Sequence, residues 1–256
     1  MDSDTRAQSA PITLASFKSR LPSRPVSDFA FAPPQSTTTT TITYSYDPLY
    51  RLTAASYSDG RNFQYSYDAT GNRLAQTVCA GAGCTPLVTN YVYDNANRLT
   101  SVNGVAQTWD NNGNLLSDGA STYSYDAANR LKTVTQGANA YSYVYNGLGD
   151  RLSQTVNGVT TQYTLDLNAG LTQVLTDGTN TYLYGPTRIG EKQAGNFVYH
   201  LPDALGSVRQ LADAGANVTL TRSYEPFGDT LTTTGTGNTT FGFAGEQRDA
   251  SGTTAN

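Results

Sequence analysis

Several residue types on which common functions depend are scarce in this 256-residue sequence. It contains one histidine, one methionine, one tryptophan and two cysteines. Only 14% of the residues are charged, the net charge is −4 and the pI is near 4.9. A nucleic-acid-binding surface normally needs a basic excess, so this balance argues against a DNA or RNA partner.

Long hydrophobic runs are also missing. No stretch approaches the roughly 20 consecutive apolar residues that a membrane-spanning helix requires. The N-terminal sequence MDSDTRAQSAPITLASFKSR carries acidic residues early and lacks an apolar core, unlike a secretory signal peptide. We therefore expect no membrane span, and a secreted or cell-surface location reached by a route without a signal peptide.

The scarcity of metal ligands predicts that the chain holds no metal and no cofactor. Cys79 and Cys84 lie in CAGAGC, and His200 is far away in sequence. Together they fall short of the four ligands that structural zinc normally takes. A short glycine-rich loop can bring two Cα atoms within about 6 Å, so the cysteines are either free or bridged.

The residues that are abundant predict an all-β fold. The sequence has 18 tyrosines and 24 glycines, with many Thr, Ser, Asn and Gln. Tyrosine and threonine favour strands, whereas glycine and asparagine favour turns. We find no long apolar stripe at the 3.6-residue spacing of a helix.

Composition divides the chain into segments. Residues 1–40 are rich in Pro, Ser and Thr without periodicity, which predicts a disordered leader. A repeated pattern fills residues 41–198, and residues 199–256 carry a different set of motifs.

The pattern of residues 41–198 is a repeat with a period near 20 residues. Its clear copies are YSYDPLYRL from Tyr44, YSYDATGNRL from Tyr65, YVYDNANRL from Tyr91, YSYDAANRL from Tyr123 and YVYNGLGDRL from Tyr143. Weaker copies begin at Thr108, Tyr163 and Tyr182. In the copy that begins at Thr108, Trp109 replaces a motif tyrosine. Such regularity marks a repeat architecture.

Each copy predicts a β-strand, a tight turn and a return strand. Tyr65 and Tyr67 are two residues apart, so on a strand they share one face. Asp68 accepts hydrogen bonds from the turn, and Gly71 can adopt positive φ. An arginine follows the aspartate by four or five residues, where we expect it to meet a carboxylate. We expect a turn or bulge to absorb that one-residue difference.

The structural motif comprises the following residues: Tyr44, Tyr46, Asp47, Arg51, Tyr65, Tyr67, Asp68, Gly71, Arg73, Tyr91, Tyr93, Asp94, Arg98, Tyr123, Tyr125, Asp126, Arg130, Tyr143, Tyr145 and Arg151.

A second turn closes each repeat at its other end. Asp59-Gly60, Asn103-Gly104, Asp118-Gly119, Asn157-Gly158 and Asp177-Gly178 are strong hairpin signals. The sequence thus predicts an antiparallel meander of about twenty strands, whose natural twist curls it into a partial spiral shell. Rows of tyrosines from adjacent repeats are expected to pack on one another, with their hydroxyls reaching water or backbone groups.

These repeats resemble the YD repeats, or RHS repeats, of bacterial Rhs proteins, insecticidal toxin complexes and animal teneurins. The stretches YHLPDALGSVRQLADAGANV from Tyr199, RSYEPFGD from Arg222 and FGFAGEQRDASG from Phe241 are similar to the segment that closes the repeat array. The matching closing residues are Asp203, Gly206, Ser207, Arg209, Pro226, Phe227 and Gly228.

The resemblance implies a shell that encloses a polypeptide, often a toxin. Many family members also carry an aspartyl autoprotease beyond the core. No position of this sequence matches that motif, and the sequence ends in Thr-Thr-Ala-Asn after the last matching residues. We therefore expect a truncated core without catalytic residues.

Two other function classes compete with the shell. Exposed tyrosine faces could bind a cell-surface glycan or protein, although packing between repeats explains the same rings. Enzymatic activity would depend on Asp203, Glu225 or His200, for which the sequence sets up no partnered nucleophile or base. Gly147-Leu148-Gly149 lacks the third glycine of a dinucleotide loop and predicts a turn. We expect no catalysis.

Overall fold

The computed structural model describes residues 39–168 and 170–252, together with the backbone of residues 11–12. Most of the predicted leader, residues 1–40, and the last four residues lie outside this part. Within the leader, Pro11 and Ile12 pair antiparallel with Thr43 and Ile42, so this piece joins a sheet rather than standing apart. None of the described helices is long and apolar enough to span a membrane.

The chain divides into two compact units, residues 1–106 and 107–256. The first unit contains one eight-stranded antiparallel sheet in chain order. Its strands are β1 (Pro11–Ile12), β2 (Ile42–Tyr46), β3 (Leu52–Tyr57), β4 (Asn62–Tyr67), β5 (Arg73–Cys79), β6 (Leu87–Tyr93), β7 (Leu99–Val102) and β8 (Val105–Ala106).

The second unit contains two further antiparallel sheets, again in chain order. The seven-stranded sheet comprises β9 (Thr108–Trp109), β10 (Leu115–Ser117), β11 (Ser121–Tyr125), β12 (Leu131–Gln136), β13 (Asn139–Tyr145), β14 (Arg151–Val156) and β15 (Val159–Gln162). The eight-stranded sheet comprises β16 (Thr164–Asp166), β17 (Gln173–Thr176), β18 (Asn180–Tyr184), β19 (Arg188–Gln193), β20 (Asn196–Pro202), β21 (Val208–Asp213), β22 (Val218–Tyr224) and β23 (Thr230–Gly235).

These sheets confirm the predicted all-β antiparallel meander. Each sheet is open, and the described helical structure is limited to one 3₁₀ turn at Phe243–Gly245. The meander continues through residue 199, which lies inside β20.

The turn that follows the tyrosines, here called the YD turn, has the same geometry in each clear repeat. We number its positions from the aspartate, so Asp68 is position 0 and Asn72 is position 4. The Asp68 amide donates to the Asn72 carbonyl at 2.9 Å, and Asp68 Oδ1 accepts from the amides of Thr70 and Asn72. Burial opposes ionisation, but hydrogen bonds from Asn72 and Thr70 outweigh it and lower the pKa of Asp68 to about 2.

Position 3 of the YD turn lies in the left-handed region. Gly71 has φ +100°, and Asn97 occupies the same position in the next repeat with φ +60°. Glycine reaches this region without steric cost, and asparagine is among the few other residues that tolerate it. The predicted positive φ at Gly71 is confirmed.

The position of the arginine differs from the prediction. Every clear repeat has the same turn length and the same bulge, because the residue before the aspartate pairs with position 5: Tyr46 with Leu52 and Tyr67 with Arg73. Neither the turn nor the bulge changes length to compensate for the arginine's shift by one residue, contrary to the prediction. The arginine simply occupies position 4 in one type of turn and position 5 in the other.

The two positions give arginine two environments. At position 4, Arg51, Arg98 and Arg130 pair with the aspartate of their own turn, as expected. At position 5, Arg73 instead points to the packed face, where its guanidinium lies 5.9 Å from the Tyr65 ring and 4.7 Å from the Tyr91 ring. The tyrosine rows thus include arginine, which the repeat pattern did not indicate.

Tyrosine hydroxyls link successive repeats. The Tyr67 hydroxyl donates to the Leu52 carbonyl at 2.8 Å, and the Tyr145 hydroxyl donates to the Leu131 carbonyl at 2.9 Å. Both acceptors occupy position 5 of the preceding repeat. The expectation that hydroxyls reach backbone groups is therefore confirmed at these tyrosines.

The turns themselves also interlock. Asn97 Oδ1 accepts from Thr70 Oγ1 at 3.2 Å and from Asn72 Nδ2 at 2.9 Å. In the second unit, Asn114 Nδ2 donates to Asn129 Oδ1 at the same distance, 2.9 Å. The side chain at position 4 of one turn thus binds the side chain at position 3 of the next.

One face of each sheet is packed and the other is exposed. Phe63 and Tyr65 are buried in the first unit, whereas Leu74 and Val92 point to the exposed face. The second unit has two buried clusters. One is centred on Val134, Tyr141 and Tyr143, and the other is Tyr182, Val208, Leu211, Leu220 and Phe241.

The longest repeat contains a disulfide-closed loop. Cys79 and Cys84 are bonded, with their Cα atoms 5.6 Å apart. A Cβ on Gly60 would lie 2.7 Å from the Ala82 nitrogen, so this loop packs directly against the neighbouring Asp59-Gly60 turn. The sequence left open whether Cys79 and Cys84 are free or bridged, and the structure shows them bridged.

Candidate functional site: the C-terminal segment on the packed face

Residues 238–252, here called the C-terminal segment, leave the meander after β23 and lie on the packed face of the second unit. Phe241 joins the buried cluster, and its ring meets Tyr182 edge-on at 5.1 Å between centroids. The Val208 amide donates to the Gly242 carbonyl at 2.9 Å. The sheet thus holds a stretch of polypeptide that belongs to none of its strands.

Residues predicted from the closing motif seat this segment. Ser207 is fully buried, and its Oγ accepts from the Ala244 amide at 2.9 Å. A Cβ on Gly228 would lie 2.7 Å from the Phe243 ring, so glycine permits that contact. Gly228 and Gly206 also occupy position 3 of their turns, with φ +105° and +86°.

Three arginines from three different strands hold the segment along its length. Arg222 Nη1 donates to the Phe241 carbonyl at 3.1 Å, and Arg188 Nη1 donates to the Gly245 carbonyl at 3.0 Å. Arg151 forms a two-pronged ion pair with Asp249. Because these arginines lie on β22, β19 and β14, the segment crosses the strands in reverse chain order.

The Arg151–Asp249 pair is the one anchor of these three in which both partners are charged. Burial alone would lower the pKa of Arg151, but the hydrogen bond and charge of Asp249 outweigh burial and raise it. Two parallel charge-assisted bonds also fix the geometry of the pair. The same arginine lies 4.7 Å from the Tyr143 ring, and the Tyr143 hydroxyl contacts Ser251 Oγ at 3.4 Å.

A buried polar group lies beneath the start of the segment. His200 Nε2 is 3.6 Å from Glu191 Oε1 and 3.5 Å from Thr239 Oγ1. Glu191 is completely buried and also accepts from Gln193 Nε2 at 2.7 Å. His200 Nδ1 and Glu191 Oε2 have no hydrogen-bond partner within the described residues.

The candidate acidic residues of the closing segment occupy turn positions. Asp203 Oδ1 accepts from the amides of Leu205 and Ser207, and its Oδ2 accepts from Arg209 Nε at 2.7 Å. Glu225 occupies position 0 of the next YD turn, where its amide donates to the Asp229 carbonyl. Pro226 and the half-exposed Phe227 follow it in the same turn. The Asp203 carboxylate thus serves its own turn and Arg209.

A cleft of about 570 Å³ opens beside the C-terminal segment. Val174, Val208 and Phe241 form its apolar part, and Arg188 and His200 contribute polar groups. Among the described residues, no group of three or more His, Cys, Asp or Glu side chains is placed to hold a metal ion. The repeat pattern gave no signal for this cleft, because its lining comes from turns and a segment far apart in sequence.

Comparison with known proteins identifies relatives of the chain. Residues 32–252 match the family described as teneurin YD-shell. The chain is 30% identical over 199 residues to tRNA3(Ser)-specific nuclease WapA of Bacillus spizizenii. This alignment covers 72% of the chain and 8% of WapA. It is 33% identical over 117 residues to teneurin-4 of Mus musculus, covering 45% of the chain and 4% of teneurin-4.

A solved structure shares the fold. The TcdB2-TccC3-Cdc42 crystal structure superposes on 83% of the chain with a TM-score of 0.66 and 18% sequence identity. The match covers 13% of that longer chain. The sequence thus spans only a small part of each of these relatives.

Proposed function

The chain belongs to the teneurin YD-shell family, so its meander is shell structure, and we propose that it encloses or carries another polypeptide. The observation that supports this is the C-terminal segment on the packed face. Arg222 and Arg188 bind it through backbone carbonyls, which any polypeptide offers. The buried tyrosines and arginines of that face therefore suit a polypeptide of variable sequence.

The enclosed polypeptide would be a toxin or another exported domain, and the chain would act outside the cell or at its surface. The Cys79–Cys84 disulfide supports this location, because such bonds persist in oxidising compartments. We further propose that the chain has no catalysis of its own. In support, the Asp203 carboxylate is occupied by its turn and by Arg209, and His200 Nε2 faces both Glu191 and Thr239.

Site-specific photo-crosslinking tests enclosure. A cargo domain is appended after Asn256, and a photoreactive phenylalanine analogue replaces either Tyr91 or Val92. These neighbours on β6 point to opposite faces, with Val92 on the exposed one. We expect cargo crosslinks from position 91 and not from position 92. Equal crosslinking from both, or crosslinks only from position 92, contradicts enclosure.

A second function is supported by one observation on the exposed face. Phe197 and Tyr199 project outward from β20 as a stacked pair, with ring centroids 6.5 Å apart and planes 25° apart. Lys192 Nζ lies 5.8 Å from the Phe197 ring. Exposed parallel rings beside polar groups suit the apolar face of a sugar.

A glycan array tests this second function. Glycan binding predicts reproducible signals that the variant F197A/Y199A loses and that Val92→Ala, on the exposed face of the other unit, retains. If the wild type gives no reproducible signal on the array, glycan binding is rejected and the proposed shell function is unaffected.

A further inference from the structure

One positive charge stands alone on the exposed face of the sheet β16–β23. Lys192 on β19 lies opposite Thr181 on β18 and Phe197 on β20, both uncharged. The other charged strand residues of this sheet turn to the packed face or bind within turns: Asp166, Arg188, Glu191, His200, Arg209, Asp213 and Arg222. In the part of the chain that the structure describes, Lys192 has no ion-pair partner within 4.0 Å.

This cation lies beside the exposed aromatic pair. The Phe197 ring is 5.8 Å from Lys192 Nζ, a distance at which the ring attracts the ammonium and holds it in place. Tyr199 follows two residues later on the same face, with its ring stacked on that of Phe197. The two aromatic residues are 40% and 39% exposed. A ligand can therefore reach the charge and both rings together.

Small residues flank the Tyr199 ring. Tyr199 lies opposite Gly190 on β19 and Ala212 on β21, so neither neighbouring strand raises a large side chain beside it. A Cβ on Gly190 would lie 2.2 Å from the Val198 carbonyl oxygen, so this position cannot carry a side chain without moving the backbone. The close approach of the two strands thus keeps the side of the ring open.

The surroundings of the pair are polar but uncharged. Thr181 lies next to Lys192, and Gln210 and Thr221 lie opposite each other further along the exposed face. Hydroxyl and amide groups both donate and accept hydrogen bonds, as sugar hydroxyls require. A densely sulfated glycan normally needs a cluster of basic residues. One isolated lysine suits a glycan with sparse negative charge.

We propose that Phe197, Tyr199 and Lys192 form a binding site for an acidic glycan. The apolar C–H face of a sugar packs on the two rings, and a carboxylate carried by that sugar pairs with the Lys192 ammonium. A uronic acid unit has both features on one ring. This inference rests on glycan binding, the second function proposed above, and specifies the class of glycan.

Isothermal titration calorimetry of the 256-residue chain tests the preference for an acid. The probes are trigalacturonic acid and its fully methyl-esterified form, which keeps the same sugar rings without the charge. At low salt we expect the acid to bind about 3-fold more tightly, a modest factor because the ion pair is exposed. The difference should disappear in 1 M NaCl, where the screening length is about 3 Å. Equal affinities at low salt, or no binding of either probe, overturn the proposal.

Variants of exposed residues separate the charge from the rings. Lys192→Gln should reduce the affinity for the acid to that for the ester, whereas Lys192→Arg keeps the charge and should keep the preference. Lys132→Gln is the matched control, because Lys132 is an exposed strand lysine of the same unit. An unaltered preference in Lys192→Gln also overturns the proposal. Equal binding of both probes that F197A/Y199A abolishes would reject the acidic ligand alone and leave glycan binding standing.

Discussion

The Tyr67 hydroxyl donates a hydrogen bond to the Leu52 carbonyl, which lies one repeat earlier, at 2.8 Å. Burial raises the pKa of Tyr67, so the phenol remains a proton donor at neutral pH. Tyr145 and Leu131 repeat this relationship in the other unit. The second tyrosine of the motif is therefore a connector between hairpins.

Replacing that tyrosine with phenylalanine should weaken the connection. Tyr67→Phe leaves the Leu52 carbonyl without its donor, and we expect a loss of about 1 kcal/mol in the free energy of unfolding. Urea denaturation measures it as a lower midpoint at unchanged slope. Tyr50→Phe is the matched control, because Tyr50 is 88% exposed. An equal shift in the control would show that the hydroxyl bond is not the cause.

Asn97 should tolerate glycine better than alanine. Its φ of +60° costs a residue with a Cβ about 1–2 kcal/mol, and its side chain accepts bonds from Thr70 and Asn72. Asn97→Gly loses only the bonds, whereas Asn97→Ala loses the bonds and adds strain. Thermal unfolding should therefore rank wild type above glycine and glycine above alanine. Asn95→Ala, on the same turn, should have little effect, and the reverse order of glycine and alanine would contradict the argument.

The Arg151–Asp249 pair should couple the C-terminal segment to the sheet. Arg151→Gln or Asp249→Asn each leaves a partly buried group without its charged partner, at an expected cost of about 2 kcal/mol. The double variant should cost clearly less than the sum, and urea denaturation of all four proteins measures this coupling. Trypsin should also cleave faster after the exposed Arg248 in the single variants. Additive losses with unchanged cleavage would exclude this anchor.

Stability should fall in alkaline solution. Burial and the hydrogen bond to Asp118 raise the pKa of Tyr123 to about 12, from the ordinary value of 10.0. The folded state therefore holds this proton more tightly, so the stabilisation is complete below pH 10 and is lost as the pH rises toward 12. Thermal melting between pH 9 and about 12 should show a shallower decline in Tyr123→Phe than in the wild type. Identical slopes would contradict the role of Tyr123.

The repeat pattern was enough to predict the local structure. Alternation at Tyr65 and Tyr67 predicts a shared face, and a glycine at position 3 predicts positive φ at Gly71, because both depend on backbone geometry within a few residues. The spacing of the copies likewise predicts the meander. These features need no knowledge of distant contacts.

The environments of the arginines and the position of the C-terminal segment could not be predicted from the sequence and became clear only in the structure. The bulge at Leu74 places both Arg73 and Gln76 on the packed face, three residues apart, which simple alternation does not predict. Asp249 meets an arginine 98 residues earlier in the chain. No periodic signal encodes such a contact, because one segment crosses many strands only once.

The two turn types alternate along the chain, with Arg51, Asn72, Arg98, Asn114, Arg130 and Asp150 at position 4. Arg51 reaches forward to the Asp68 carbonyl, and Asn72 reaches forward to Asn97, so each type completes the other. If a deletion in the gene removed one hairpin, two turns of the same type would become neighbours. Neither would then have the other type beside it to complete these contacts. Duplications and deletions that preserve the sheet should therefore involve two hairpins at a time, so that these arrays lengthen and shorten in evolution by even numbers.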